Sequence, residues 1–252
     1  MKKIFFLLLI LSLYLLFFKN SPQKTPGVTP LPQEVKLPSL VDTLNSVNYH
    51  QHTYPFAYYL VPNSKNLQLF LNLPQSDSST DLIKKHNCTF LTNGGFYDQN
   101  NQPLGWFVEN KIEKSREITS RLFNGFIYSK DNQFSITTTP IANADFGLQS
   151  GPLLIKDQAL MPLKIINDEG RRRVIATLTP QNQLIFITIV SKDSEFNGPL
   201  LAETPQVLEI IGQKINQDFD VAINLDGGSA SAFYTPQTYI KEFSPIGSYF
   251  CY

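Results

Sequence analysis

With 252 residues the chain is long enough for one large domain or two small ones, with a sizeable buried core. Hydrophobic residues make up 42% and charged residues 17%, a globular balance that excludes a disordered chain. Lysine plus arginine and aspartate plus glutamate stand at 21 each, so no basic surplus exists to coat a nucleic acid, and a bound anion must be met by a few placed residues.

The chain opens on MKKIFFLLLILSLYLLFFKNS, two lysines before an uncharged run of fifteen residues from Ile4 to Phe18. That length suits a signal-peptide core and falls short of the roughly 20 residues of a spanning helix. No small-x-small cleavage pattern follows, and no cysteine for lipid attachment. Residues 1–18 therefore read as a cleaved signal peptide or an uncleaved N-terminal membrane anchor. Both imply an exported body, secreted or held at the outer face of the membrane. Residues 19–40 carry prolines at 22, 26, 30, 32 and 38, an extended spacer. One folded domain is expected over residues 41–252.

Strand signals dominate that domain. Tyr54–Val61 is aromatic-rich, and Leu67, Leu69, Leu71 and Leu73 alternate as in a half-buried strand. Segments 89–91, 105–108, 126–128, 134–138, 174–178, 184–190 and 221–225 are further strands. LIFITIV lacks alternation and reads as a central strand covered on both faces. Helices are few: Ser78–Asp81 offers caps ahead of LIKKH, and TPQVLEIIGQKIN has Thr204 as N-cap with Pro205 at the first helical position. Val207, Ile210, Ile211 and Ile215 fall on one face of it. The predicted class is α+β, a single domain around a large mixed, curved β-sheet with a few packed helices. In an oxidising compartment Cys88 and Cys251 either pair, or Cys88 is a buried free thiol.

Four segments depart from what a core needs. TNGGFYDQNNQPLGWFVENKI, residues 92–112, puts Asn93 and the pair Gly94-Gly95 after a strand. DFGLQSGPLLI, residues 145–155, sets Gln149 and Ser150 beside a tight turn at Gly151. EGRRRVIATL, residues 169–178, runs three arginines into an apolar strand, and arginine holds a phosphate or carboxylate bidentately. VAINLDGGSASAFY ends a buried strand at Asp226. Gly227, Gly228 and Ser229 follow with N–H groups for an anion-binding nest, or only a turn capped by the aspartate. His50, His52 and His86 lie outside these segments, and no P-loop, dinucleotide fingerprint or calcium loop occurs. Carboxylate chemistry remains, with no metal or cofactor expected.

NGGFYDQNNQPLGWFVEN, QSGPLLI, RRRVIA and NLDGGSAS, in this order, resemble the phosphodiester glycosidase family over roughly residues 50–252. The resemblance implies an exported hydrolase that cleaves a glycosyl 1-phosphodiester to free sugar and a phosphomonoester. Its partner is a sugar phosphate or glycan, with the membrane touched only by the N-terminal segment and no nucleic acid bound. Matched by position, it implies Asp226, Arg172 and Asn93 as catalytic residues. Gly94, Gly95, Gln149, Ser150, Gly151, Gly227, Gly228 and Ser229 are implied in substrate binding. The family's arginine precedes a small residue at a fixed spacing, which Arg172 and Ala176 match. In this scheme Asp226 attacks or activates water, and Arg172 clamps the phosphate. Asn93, Gln149 and Ser150 hold sugar hydroxyls. A phosphate leaving group needs little acid help, so one carboxylate suffices. The alternative is a non-catalytic envelope module that binds a phosphorylated glycan.

Overall fold

The computed structural model describes residues 44–252, which fall within one compact unit. The leader and the proline-rich spacer lie outside the described residues. Among the described residues, no helix is long and apolar enough to cross a membrane.

The chain begins with strands β1 (Asn45–Tyr49), β2 (His52–Leu60) and β3 (Gln68–Leu71), then helix α1 (Ser79–His86). Next come β4 (Leu91–Asn93), β5 (Phe107–Glu109), β6 (Ile112–Ser115), β7 (Gly125–Lys130) and β8 (Gln133–Thr137). β9 (Phe146–Ser150), β10 (Leu153–Lys156), β11 (Ala159–Leu160), β12 (Arg173–Leu178) and β13 (Leu184–Ile189) follow. Helix α2 (Thr204–Ile215) leads to β14 (Val221–Asn224), β15 (Phe233–Thr235), β16 (Thr238–Ile240) and β17 (Ser248–Cys251).

These strands form a seven-stranded sheet in the order β1-β2-β13-β12-β14-β10-β11, and two five-stranded sheets, β16-β15-β4-β17-β3 and β6-β5-β9-β7-β8. The α+β class holds, but the pairing differs from a mixed sheet: each ladder among the described residues is antiparallel. The reason lies in the connections. Asn110-Lys111 and Asp131-Asn132 turn in the left-handed region, which makes two-residue hairpins, whereas parallel neighbours need a crossover of a dozen or more residues.

LIFITIV is the central strand its composition predicts. β13 lies between β2 and β12, and each of its residues is buried. Leu184 and Phe186 enter a core shared by all three sheets, packed with Leu69, Phe107, Phe233 and Phe250. Ile185, Ile187 and Ile189 point the other way, into a second core beneath α2 with Val207, Leu208 and Ile211. Each fully buried side chain of this size contributes roughly 1.5–3 kcal/mol, so both faces of the strand carry weight.

Helix α1 is capped as predicted, with Ser78 Oγ accepting from the Asp81 N–H. α2 differs in detail. Thr204 is already helical, and its hydroxyl donates to Leu200 O at 2.8 Å instead of capping. The short 3-10 turn Leu201–Glu203 ahead of it supplies the entry. Ile210 and Ile215 are only partly buried, and the stripe turns through Leu208 instead.

Cys88 and Cys251 form a disulfide across 163 residues of chain, fixing β17 to the end of α1.

Candidate active site

The seven-stranded sheet places the four segments. β14 runs between β12 and β10, and all three stop at one edge. Ile175 pairs with Asn224 and Thr177 with Ala222. The same register, continued past the ladder, sets Arg173 opposite Asp226. Side chains alternate across a strand. Ile223 and Leu225 fill the shared core and Ala222 the α2 core, so Asn224 and Asp226 share the α2 side. There the apolar cover ends, and a cleft of about 400 Å³ opens. It is lined in part by Asp226, Asn224, Arg171, Arg173, Phe96 and Ser229.

Among the described residues, Asp226 is the only carboxylate in that wall. Its residue reaches the cleft surface, yet protein encloses most of the carboxyl, and this burial pushes its pKa up to about 7. The Gly227 N–H, bonded to the carboxylate, offsets part of the rise. The backbone is held on both sides: the Asp226 N–H donates to Gly94 O at 3.0 Å, and Asp226 O accepts from Asn93 Nδ2 at 2.6 Å. Tyr97 lies close enough for the Asp226 charge to add to the rise that burial gives its phenol. Its hydroxyl donates to Pro245 O at 2.8 Å.

The residues matched by sequence gather here, but several do other work. Asn93 is buried, and its amide spans the backbone of two segments, accepting from the Ala232 N–H at 2.9 Å as well as donating to Asp226 O. Gln149 is spent. Its Oε1 accepts from the Trp106 and Ile118 N–H groups, and its Nε2 donates to Ile118 O and Phe123 O, which exhausts the amide. Ser150 is fully buried and donates to Asn224 O at 2.8 Å. None of the three presents a free side chain to a sugar in this arrangement. They position the strand ends.

The glycines follow the same logic. A Cβ on Gly94 would meet Ser248 Oγ at 2.5 Å, and the Gly95 N–H donates to that hydroxyl at 3.0 Å, so β17 is the reason for this pair. At Gly151 a Cβ would collide with Leu122 O. Gly227 lets Arg172 O approach to where its Cβ would be 2.7 Å away, and Gly228 has φ +65. Two of the three N–H groups of the nest alternative are engaged: the Gly228 N–H donates to Arg172 O at 3.0 Å, and the Gly227 N–H turns to Asp226. Ser229 is exposed at the cleft.

The three arginines separate by alternation. Arg172 is 3% exposed and lies outside the cleft lining. Its Nε donates to Glu195 O, its Nη1 to Lys241 O at 2.8 Å, and its Cζ sits 4.3 Å from the centre of the Phe243 ring. It staples two loops, and burial lowers its pKa. Arg171 and Arg173 line the cleft instead. Arg173 is buried and donates to Pro199 O and Glu169 O, with Asp168 at 3.7 Å. Its pKa falls to about 10, mainly through desolvation, with Asp168 opposing the fall. Arg171 is half exposed and paired with exposed Glu169, which leaves it the cation able to swing toward a ligand.

Sequence reasoning missed Asn224, Arg171 and Ser248. The first two carried a signal, a polar residue two before Asp226 and arginines at alternate positions. Ser248 carried none, because its role exists only through β17.

Comparisons with known proteins bear on the fold and the family. A sequence profile described as phosphodiester glycosidase matches residues 86–249. No curated protein matches the chain in sequence. A hypothetical protein from Synechocystis superposes with a TM-score of 0.63 at 13% identity, covering 82% of this chain, which spans 61% of that one. The catalytic domain of zebrafish N-acetylglucosamine-1-phosphodiester alpha-N-acetylglucosaminidase, auto-inhibited by its pro-peptide, gives a TM-score of 0.60 at 13% identity over 82% of this chain and 80% of its own. A protein of Burkholderia pseudomallei described as exported gives 0.56 at 10% identity, over 79% and 74%. At such identities the superpositions establish the fold. The profile spans more than half of the sequence, and the chain belongs to the phosphodiester glycosidase family.

Proposed function

We propose that the protein is an exported hydrolase that cleaves a glycosyl 1-phosphodiester, with Asp226 as the reacting carboxylate. One observation carries the reading: the cleft holds a single carboxylate beside arginine, not two facing carboxylates. Ordinary glycosidases need a second acid to protonate a poor leaving group, whereas a phosphomonoester leaves unaided. Water adds to the anomeric carbon as the C1–O bond breaks. The sugar gains the hydroxyl, the phosphate keeps the bonding pair, and the released proton passes through Asp226 to solvent. A carboxyl near pKa 7 is matched to that task at neutral pH. Arg171, backed by Arg173, faces the phosphate. Asn93, Gln149, Ser150 and Arg172 hold the geometry. The family membership supports the hydrolytic class, and the disulfide and the leader support export.

The test is release of free sugar from glycosyl 1-phosphodiesters by the purified protein. Asp226→Asn is expected to reduce turnover at least a thousandfold while ligand affinity stays within a few fold, since the amide keeps the shape but cannot attack or take a proton. Normal turnover by this variant would remove the catalytic assignment. Saturable binding with no turnover in the wild type would favour a glycan-binding module.

A further inference from the structure

Asn224 Oδ1 is buried and has no hydrogen-bond partner. Thr188 Oγ1, Gln206 Oε1 and Ser231 Oγ share that condition, but none of those residues lines the cleft, and Asn224 does. An orphaned acceptor in a folded protein calls for an explanation. Its orientation is fixed: Asn224 Nδ2 donates to Gly151 O at 3.1 Å and to Leu225 O at 2.8 Å, so both hydrogens are committed and the open atom is the oxygen. Asn224 is 2% exposed, which closes Oδ1 to bulk water. Asn224 nevertheless lines the cleft, so a hydroxyl seated against that wall is the donor that a bound ligand would bring to it.

Two facts restrict that group. Asn224 stands two residues before Asp226 on the same strand face, about 7 Å along the strand, a span that one hexose ring bridges. An ionised phosphodiester offers only acceptors and cannot satisfy a carbonyl oxygen, whereas a sugar hydroxyl can donate to it. The sheet order adds a direction. On the β12 side of β14 lie Arg171 and Arg173; on the β10 side lie Gly151 and Leu122, whose carbonyl borders the Gly151 α-carbon. Phe96, the aromatic member of the lining, packs at a tilt against Phe123, the neighbour of Leu122.

We infer that Asn224 Oδ1 is a sugar-recognition acceptor, and that the substrate lies across the strand ends with its sugar toward β10 and its phosphate toward β12. The inference rests on the glycosyl-phosphodiester reading above. It makes Asn224 a specificity-determining residue for the hexose, separate from the arginine that meets the phosphate.

Titration calorimetry with two probes tests it: inorganic phosphate, and the tightest-binding member of a panel of hexose and N-acetylhexosamine 1-phosphates. Asn224→Ala is expected to weaken the sugar phosphate about tenfold and leave inorganic phosphate unchanged. Arg171→Ala is expected to weaken both. Equal weakening of both probes by Asn224→Ala would mean a structural role and overturn the assignment, as would no weakening of either. If Asn224→Ala fails to fold, deoxy analogues of the same sugar phosphate replace it: one position should lose about tenfold on the wild-type protein, and equal binding of every deoxy analogue would overturn it. Binding of neither probe by the wild type would overturn the glycosyl-phosphate reading itself, and the Asn224 assignment with it.

Discussion

At the scale of single residues, the role proposed for Asp226 sets function against stability. An unfolded aspartate titrates near 3.8, and the folded one near 7. Between those values the folded state binds the extra proton, so raising the pH through this window lowers stability. At about 1.4 kcal/mol per unit the loss is at most about 4 kcal/mol, less whatever solvent at the cleft recovers. Asp226→Asn carries no charge and should not lose stability there. Thermal melts are expected to show the variant gaining on the wild type from pH 4 to pH 8. Parallel pH dependences would mean that the carboxyl is not held in its neutral form. In the wild type, kcat/KM should rise with pH through about 7 if the ionised carboxylate reacts.

The arginines allow a second comparison. Arg172→Ala removes two hydrogen bonds and the contact with Phe243, which itself stacks on Phe196 at 4.4 Å. Its expected signature is faster amide exchange in residues 191–200 and 241–247 and a lower Tm. Arg171→Ala, paired only at the surface, should leave the melt unchanged and weaken phosphate-containing ligands by one to two decades, from the roughly 1.5–3 kcal/mol of a charge-assisted contact. If Arg172→Ala instead reproduced the ligand effect and left the loops undisturbed, the two roles would be exchanged. A spacing rule selects Arg172 because sequence shows which arginine stands at the matching distance from Ala176. It does not show the face to which each side chain turns.

Among elements, legibility followed the directness of the link between pattern and burial. β13 was readable because a run of apolar residues broken only by Thr188 has no place except between two cores. α1 was readable from its cap. β9 and β10 were hidden, because Gln149-Ser150-Gly151-Pro152 reads as a turn although it carries the chain from a strand of one sheet to a strand of another. β15, β16 and β17 left little mark, being short and dependent on partners distant in sequence. The four motif segments were legible as departures from core composition. Their division between cleft and support was not, since hydrogen bonds such as Gln149 to Phe123 are made only by the assembled chain. At the β12–β14 edge, Gly227→Ala must push Arg172 O aside. It is expected to cost about 1–3 kcal/mol and most of the turnover, measurable by denaturant titration and sugar release. A silent substitution would show that the two strand ends can part without cost.

For the molecule as a whole, the disulfide closes a loop of 163 residues. In the chain-entropy picture such a loop is worth about 5 kcal/mol, as an upper value. Cys251→Ser, or reduction of the wild type, should therefore lower the denaturation midpoint markedly, with the greatest gain in amide exchange at β17 and α1. An unchanged midpoint would mean that Ser248–Cys251 is held by its two neighbouring strands alone. Secreted domains rely on such links, and this one supports the β17 hydroxyl against which Gly94 and Gly95 rest.

That support has a consequence for the order of events in biosynthesis. Ser248 meets Gly95 across 153 residues, and β17 is an inner strand of its sheet. A polypeptide threaded from its N-terminus exposes Asn93, Ser150 and Asp226 well before the strand that seats them. Throughout that passage Gly94 and Gly95 lack the strand they rest on, and the cleft takes its shape only after β17 has emerged.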